Sequence, residues 1–427
     1  MEKLKLFGQK IFQSPQLRRQ TFFTLLIFLA TRFLAHVYLP LVDITRLKQV
    51  FANDDFLSLL NVIAGGTLST ASLIAVGISP YITASIVVQL LTFVWPKLKE
   101  LSKEGEVGRR KLNQYTRLLA LPVAILQSIS IAALLKNSNL LLQNSWGALA
   151  IVTFSSVVGS FIMLWLGELI SAYGLGNGIS LIMLLGIVSS LPATLAQSQT
   201  LLESGKWFLA LLMAAGVIGV VALVVLINQA VRKIPIQYAK RMQGARQIGG
   251  QTTFFPIKLN TSGVMPIIFA VTIMSFPGFI GRALASSSQE HWQRVGYHLQ
   301  AVFSQTNPVY LCLYFLIVFS LTYFSALLFF NTRDISEELK KSGAFIAGVR
   351  PGQKTQIYLE RIVKRLTFVD GLFLGSIAIM PFLLQIWTGL NSLAIGGTSL
   401  LIAVAVILEI NKTVEGASVG QDYDKYL

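Results

Sequence analysis

The feature that most restricts this chain is the recurrence of apolar runs about 20 residues long, the length an α-helix needs to cross a bilayer. Such runs begin near residues 21, 71, 118, 148, 179, 207, 263, 309, 366 and 391, which predicts about ten crossings. Hydrocarbon offers no hydrogen bonds, so backbone groups at that depth must pair within the protein. The expected fold class is therefore an all-α polytopic membrane protein. Composition points the same way. Of 427 residues, 54% are hydrophobic and 13% charged, and the mean hydropathy is +0.65, whereas a soluble domain carries roughly a quarter charged residues. Gly, Pro, Ser and Thr interrupt several runs, which is tolerated where neighbouring helices or a water-filled cavity satisfy the backbone.

Charge placement predicts orientation. With the N-terminus inside, segments 1–20, 97–117, 232–258, 333–365 and 412–427 face the cytoplasm and hold 28 of the 35 Lys and Arg residues. Positive loops stay on the cytoplasmic side, so both termini are expected there. The N-terminal segment lacks the charged, apolar and cleavage-site order of a removable signal peptide, so the first span is expected to remain. Loops 228–262 and 331–365 are longer than orientation requires. Their mixture of basic, aromatic and turn residues suits docking of a large partner, with simple tethering as the plainer alternative.

Residues 56–95 raise a separate question. The second half is apolar enough to cross a bilayer, but NVIAGGTLST before it is half-polar, uncharged and far too short to span.

The sequence offers little chemistry. Glu168, Asp370 and Glu409 fall near span ends, where interfacial solvation is the simplest account. Arg32 is the deepest basic residue and needs a polar partner or a snorkelling route. His36, His291 and His298 lie in or beside outer segments, and neither HExxH nor a His/Cys cluster of ligand spacing occurs. GLGNG at 174–178 lacks the preceding strand of a phosphate loop and reads as a tight turn between spans 4 and 5. The single cysteine, Cys312, lies in an apolar run and has no second cysteine to pair with. No catalytic residues, metal ligands or cofactors are predicted.

Local strings add a resemblance. GISPYITASIVVQLL, EGEVGRRKLNQYTR, WLGELISAYGLGNGIS, IPIQYAKR, GVMPIIFA, KKSGAFIAGVRPGQKT and GGTSLLI follow one another in that order. Together they resemble the SecY family, the channel-forming subunit of the bacterial protein translocase, from about residue 10 to 412. The resemblance implies two pseudo-symmetric five-helix halves, 21–196 and 207–411, around a central pore. It implies an apolar pore ring at Ile78, Ile82, Met183, Ile268 and Ile402. Flexible apolar side chains can close around an extended polypeptide and resist ions by dewetting; ordinary helix packing is the plainer reading of the same residues. It also implies a plug at about 57–69, including Asn61, Gly65, Gly66 and Thr67, lying in the outer funnel. Thr83, Gln127 and Thr272 match polar positions along a lateral gate between span 2 and spans 7 and 8, with span 3 beside it.

Further expectations come with the resemblance. Loops 228–262 and 331–365 match docking sites for the ribosome and the SecA motor ATPase. Arg350 in VRPG is the expected critical cation, with Lys240, Arg241 and Arg246 as further candidates and 412–427 as a cytoplasmic tail. Small SecE and SecG membrane subunits, signal sequences of exported proteins and lipid are the other expected partners. The expected location is the bacterial plasma membrane. Two departures stand out: YLPLVDI replaces a Pro-Gly-containing turn after span 1, and Met183 replaces a more usual isoleucine. They leave open an accessory paralogue with few substrates. A secondary transporter would need paired ionisable groups at the midplane, which the spans lack, and a membrane enzyme would need a catalytic constellation.

Overall fold

The computed structural model describes residues 14–414 except 44–45, 48–66, 68–69, 138–139, 144, 204–206, 239–240, 244–245, 249–251, 264, 286–288, 305–306 and 389–401, and also residue 416. Asn61, Gly65, Gly66 and Lys240 lie outside the described residues. Every apolar run contributes a helix. In chain order these are α1 (Pro15–Ala35), α2 (Ser79–Val94), α3 (Pro96–Lys103), α4 (Glu106–Asn137), α5 (Trp146–Tyr173), α6 (Gly178–Glu203) and α7 (Trp207–Gln229). Strands β1 (Val231–Tyr238), β2 (Arg241–Gln243), β3 (Arg246–Ile248) and β4 (Thr252–Lys258) follow. Then come α8 (Met265–Ala285), α9 (Glu290–Val302), α10 (Pro308–Phe329), α11 (Thr332–Lys341), β5 (Ala344–Ile346) and α12 (Gln353–Thr388). Residues 402–414 form α13.

Local chemistry sets several boundaries. Ser14, Ser145 and Asn307 cap α1, α5 and α10 by accepting from the amides of Leu17, Ala148 and Val309. Pro15 and Pro308 occupy first-turn positions, where the missing N–H costs nothing. Among the described residues, α4, α5 and α10 are each long and apolar enough to cross a membrane alone. Pro96 breaks the chain after α2, and α3 leaves at 101° to it.

Helix limits and apolar runs do not coincide. α4 starts at Glu106 rather than near 118, and α12 at Gln353 rather than near 366. Both extra stretches are polar, so the hydrogen-bonded helix continues past the segment that hydropathy detects. Span 2 departs in the other direction. It was expected near 71, but residues 70–77 form turns and the helix begins at Ser79. Ala71 and Gly77 have φ of 43° and 58°, a backbone incompatible with a right-handed helix. This irregular stretch is buried, and protein groups satisfy it. The Ser72 hydroxyl donates to Leu34 O at 3.0 Å and the Ser160 hydroxyl to Gly77 O at 2.8 Å. Gly159 lets α5 approach the Leu73 carbonyl so closely that a Cβ there would collide with it.

The two long loops become one structure. β1 pairs antiparallel with β4 on one side and with β5 on the other, giving the order β4-β1-β5. Ile234 and Ile236 of β1 turn inward with Ile257, Ile346, Leu359 and Val363 to form a small core against the start of α12. Pro235 is tolerated in the central strand because β5 begins pairing only at Ile236. β2 and β3 pair as a separate hairpin.

A small apolar cluster ties α4 and α5 to the turn before α2, and two larger ones occupy the bundle. One joins α1, α5 and α6 through Ile27, Met163, Ile170 and Leu181. The other joins α7, α8, α10 and α12 through Val224, Phe269, Tyr314 and Leu374. The helices α2 and α13 contribute side chains to both.

Candidate functional site

The two clusters meet at α2. Ile78, at its N-cap, is buried in the α1–α5–α6 cluster, whereas Ile86, two turns on, is buried in the α7–α8–α10–α12 cluster. Ile82 lies between them and packs against both. α13 has the same character, with Ile402 against the first cluster and Val404 against the second. Three of the five expected ring residues, Ile78, Ile82 and Ile402, thus share one apolar neighbourhood. Met183 on α6 and Ile268 on α8 are half-buried, each beside a fully buried residue, Ile182 and Ile267. The cluster neighbours of Ile82 among the described residues are apolar, and aliphatic side chains repack at low cost when volume is kept.

Polar contacts flank the junction. Thr83, one residue after Ile82, is 4% exposed and donates to Ser79 O at 3.0 Å. Its free lone pair accepts from Gln127 Nε2 on α4 at 3.5 Å, the outer limit of a hydrogen bond. Two of the three expected gate residues therefore touch. Thr272 does not join them, because its hydroxyl donates to Ile268 O within α8 at 2.9 Å. Thr67, the described part of the expected plug, is buried and closes the turn before span 2. Its carbonyl accepts from the Ser72 amide at 3.0 Å, and its hydroxyl donates to Ile74 O at 3.3 Å.

Arg350 occupies the turn between β5 and α12. The backbone is held from both sides: Val349 N donates to Ile346 O at 3.0 Å, and the Thr355 hydroxyl donates to Arg350 O at 3.0 Å. Gly348 and Gly352 have φ of 79° and 97°, values that a side chain would strain. The Ser336 hydroxyl on α11 donates to Gly352 O at 2.7 Å. The guanidinium is exposed on a rigid platform. Arg241 and Arg246 start the two strands of the β2–β3 hairpin on the same loop as β1.

Of the charged residues singled out in the sequence, Glu168 and Asp370 sit differently from the expectation. Arg32 is in the last turn of α1, half-buried, where a cation complements the helix dipole. Glu168 is not simply solvated at an interface but pairs with Arg117 Nε at 2.6 Å, joining α5 to α4. Asp370 is 0% exposed, so the expectation of interfacial solvation is wrong for it. Its position at the start of an apolar run resembles a membrane surface in sequence, but α12 begins 17 residues earlier and at the next residue, Gly371, packs closely against Phe319 of α10. The 174–178 turn is as expected. Gly176 has φ 69°, Asn177 Oδ1 caps α6 by accepting from Ile179 N at 3.1 Å, and the Thr24 hydroxyl accepts from Leu175 N at 3.1 Å.

Comparison with known proteins completes the picture. A family model described as SecY matches residues 72–411. The protein translocase subunit SecY of Mycobacterium bovis is 38% identical over 437 residues, covering 97% of this chain and 98% of that protein. A solved structure described as that of a protein-conducting channel superposes with a TM-score of 0.64 at 16% identity, covering 93% of this chain and 91% of the other. Another, described as Sec61 in the canine ribosome–channel complex from the endoplasmic reticulum, gives 0.59 at 15% identity with the same coverage. With matching strings along the chain, a matching bundle and near-complete coverage of a curated relative, this chain belongs to the SecY family.

Proposed function

We propose that this protein is the channel-forming subunit of a protein translocase, passing unfolded polypeptides across the membrane and releasing apolar segments sideways into lipid. The observation that carries the reading is Ile82, packed at once against both apolar clusters on a helix that belongs to both. A helix shared in this way can be withdrawn from one cluster while it remains seated in the other. The ring reading assigns the closure to Ile78, Ile82, Met183, Ile268 and Ile402, and the apolar surroundings of Ile78, Ile82 and Ile402 support it. The segment 57–69 acts as the plug in this reading. Its lack of charge and the weak helix propensity of Gly65 and Gly66 suit an element that moves.

Energetics favour lateral release. About ten apolar residues at roughly −0.3 to −0.6 kcal/mol each give a signal segment roughly 3–6 kcal/mol of preference for lipid. An interhelical polar contact such as Gln127–Thr83 is worth on the order of 1 kcal/mol. The gradient therefore exceeds the lock. The sheet and the β5–α12 turn form the docking platform, on the cytoplasmic side by the basic bias of the loops. Arg350 presents a planar, permanent cation suited to ribosomal RNA or an acidic motor surface. SecA or the ribosome supplies the driving force, and SecE-like and SecG-like subunits flank the bundle in the bacterial plasma membrane, with both termini cytoplasmic.

The test is resting conductance in planar bilayers. Replacing all five ring residues with Ser should wet the junction and raise ion leakage, while single replacements leave the seal closed. A fivefold variant as tight as the unmodified channel would remove the ring assignment.

A further inference from the structure

Beneath the sheet, three separate parts of the chain bring buried oxygen atoms to one level of the bundle. Asp370 and Thr367 lie one turn apart on α12, Ser325 lies on α10, and Thr261 lies in the turn before α8. Both Asp370 carboxylate oxygens and the hydroxyls of Thr367, Ser325 and Thr261 are buried without a hydrogen-bond partner among the described residues. Their common level follows from helix register. Gly371 faces Phe319 and Gly375 faces Phe315, so α10 and α12 run antiparallel and Thr367 lies level with Tyr323. Thr322 and Ser325 fall within one turn of that level. The Ser262 hydroxyl donates to Thr322 O at 3.0 Å, which fixes the turn before α8 at the same place. The Ser262 amide faces Asp370 without completing a regular hydrogen bond to it.

A buried carboxylate either takes up a proton or needs a counter-charge, and no Lys or Arg pairs with Asp370 among the described residues. Arg361, Lys364 and Arg365 of α12 are on its exposed side, around a groove with Phe368. A proton on Asp370 would satisfy one oxygen and leave the neighbouring hydroxyls as they are. A small cation would collect all of them, and a single carboxylate balances a single positive charge. Oxygen-only ligands select hard cations. We propose that Asp370, Thr367, Ser325 and Thr261 bind an alkali-metal cation, with Asp370 as the charged ligand and the hydroxyls as neutral ones. The ion ties α10 and α12 to the turn that leads from the sheet into α8. It therefore fastens the platform to the bundle.

The test is thermal unfolding of the purified full-length protein in detergent, in NaCl, KCl or choline chloride at constant ionic strength and pH. Sodium or potassium should raise the midpoint saturably above choline, as mass action requires of a ligand bound only by the folded state. The more effective ion identifies the occupant. Asp370→Asn keeps the shape, removes the charge and should abolish the rise. Thr367→Val should shift half-saturation upward by about tenfold or more. Equal midpoints in all three salts would overturn the proposal, as would an Asp370→Asn variant that keeps the response. If Asp370→Asn fails to fold, Thr367→Val decides alone, and an unchanged half-saturation overturns the site.

Discussion

Where α10 meets α12, Gly371 and Gly375 bring the helices so close that an added Cβ would lie 2.9 and 2.6 Å from the rings of Phe319 and Phe315. Phe319 also meets Phe368 edge-on, and Tyr310 and Tyr314 both meet Phe382 edge-on. Where α2 meets α4, by contrast, Gln127 reaches Thr83 at 3.5 Å. α2 meets α8 through the aliphatic side chains of Ile82 and Ile86, at one side of the cluster that also holds Tyr310, Tyr314 and Phe382. One contact is interlocked by rings seated against glycines. The other is made of side chains that slide and of a hydrogen bond at its limit. The difference teaches where parting would cost least: motion is cheap where neither volume nor polarity fixes a single arrangement.

The comparison breaks first at the glycines. Gly375→Val should destabilise by about 1–3 kcal/mol through overpacking against Phe315, far more than the few tenths gained in helix propensity. Thermal unfolding in detergent reads this as a lowered midpoint, and an unchanged midpoint would mean that the α10–α12 contact is no tighter than the seam. Gln127→Leu should act on opening rather than on folding. Removing one interhelical contact shifts the closed–open balance by on the order of 1 kcal/mol, which would be measured as export of precursors with weakened signal sequences. Identical export of normal and weakened precursors would show that the Thr83–Gln127 contact has no part in the gate. Thr272→Val should do least, because its hydroxyl bonds within its own helix. A change in export as large as that of Gln127→Leu would show that Thr272 reaches across the seam when the channel works.

The crossings were legible because about 20 apolar residues have few alternatives to a helix in lipid. Strings such as GISPYI and GGTSLLI supplied the expected ring positions, but what joins Ile82 to two clusters is a tertiary fact. The turn at 70–77 was hidden because Ala71, Leu73, Ile74 and Val76 are as apolar as any helix. Its departure shows in φ values and in hydroxyl bonds to α1 and α5. Asp370 was misplaced for a related reason. Hydropathy locates the start of an apolar run, but it does not report that another part of the chain covers that point. The sheet escaped because β5 has only 3 residues and reaches β1 across helices α8 to α11.

That last separation has a temporal meaning. Ile236 pairs with Ile346, so the third strand leaves the ribosome 110 residues after its partner. At about 5–20 residues per second the interval is roughly 5–20 s. During it, the free edge of β1 is unpaired, and α8, α9 and α10 must all have been made. The platform on which Arg350 is mounted therefore cannot exist until the helices on the far side of the seam are in place. A chain arrested between residues 260 and 340 would carry the β1–β4 pair and the β2–β3 hairpin but neither β5 nor the turn that holds Arg350.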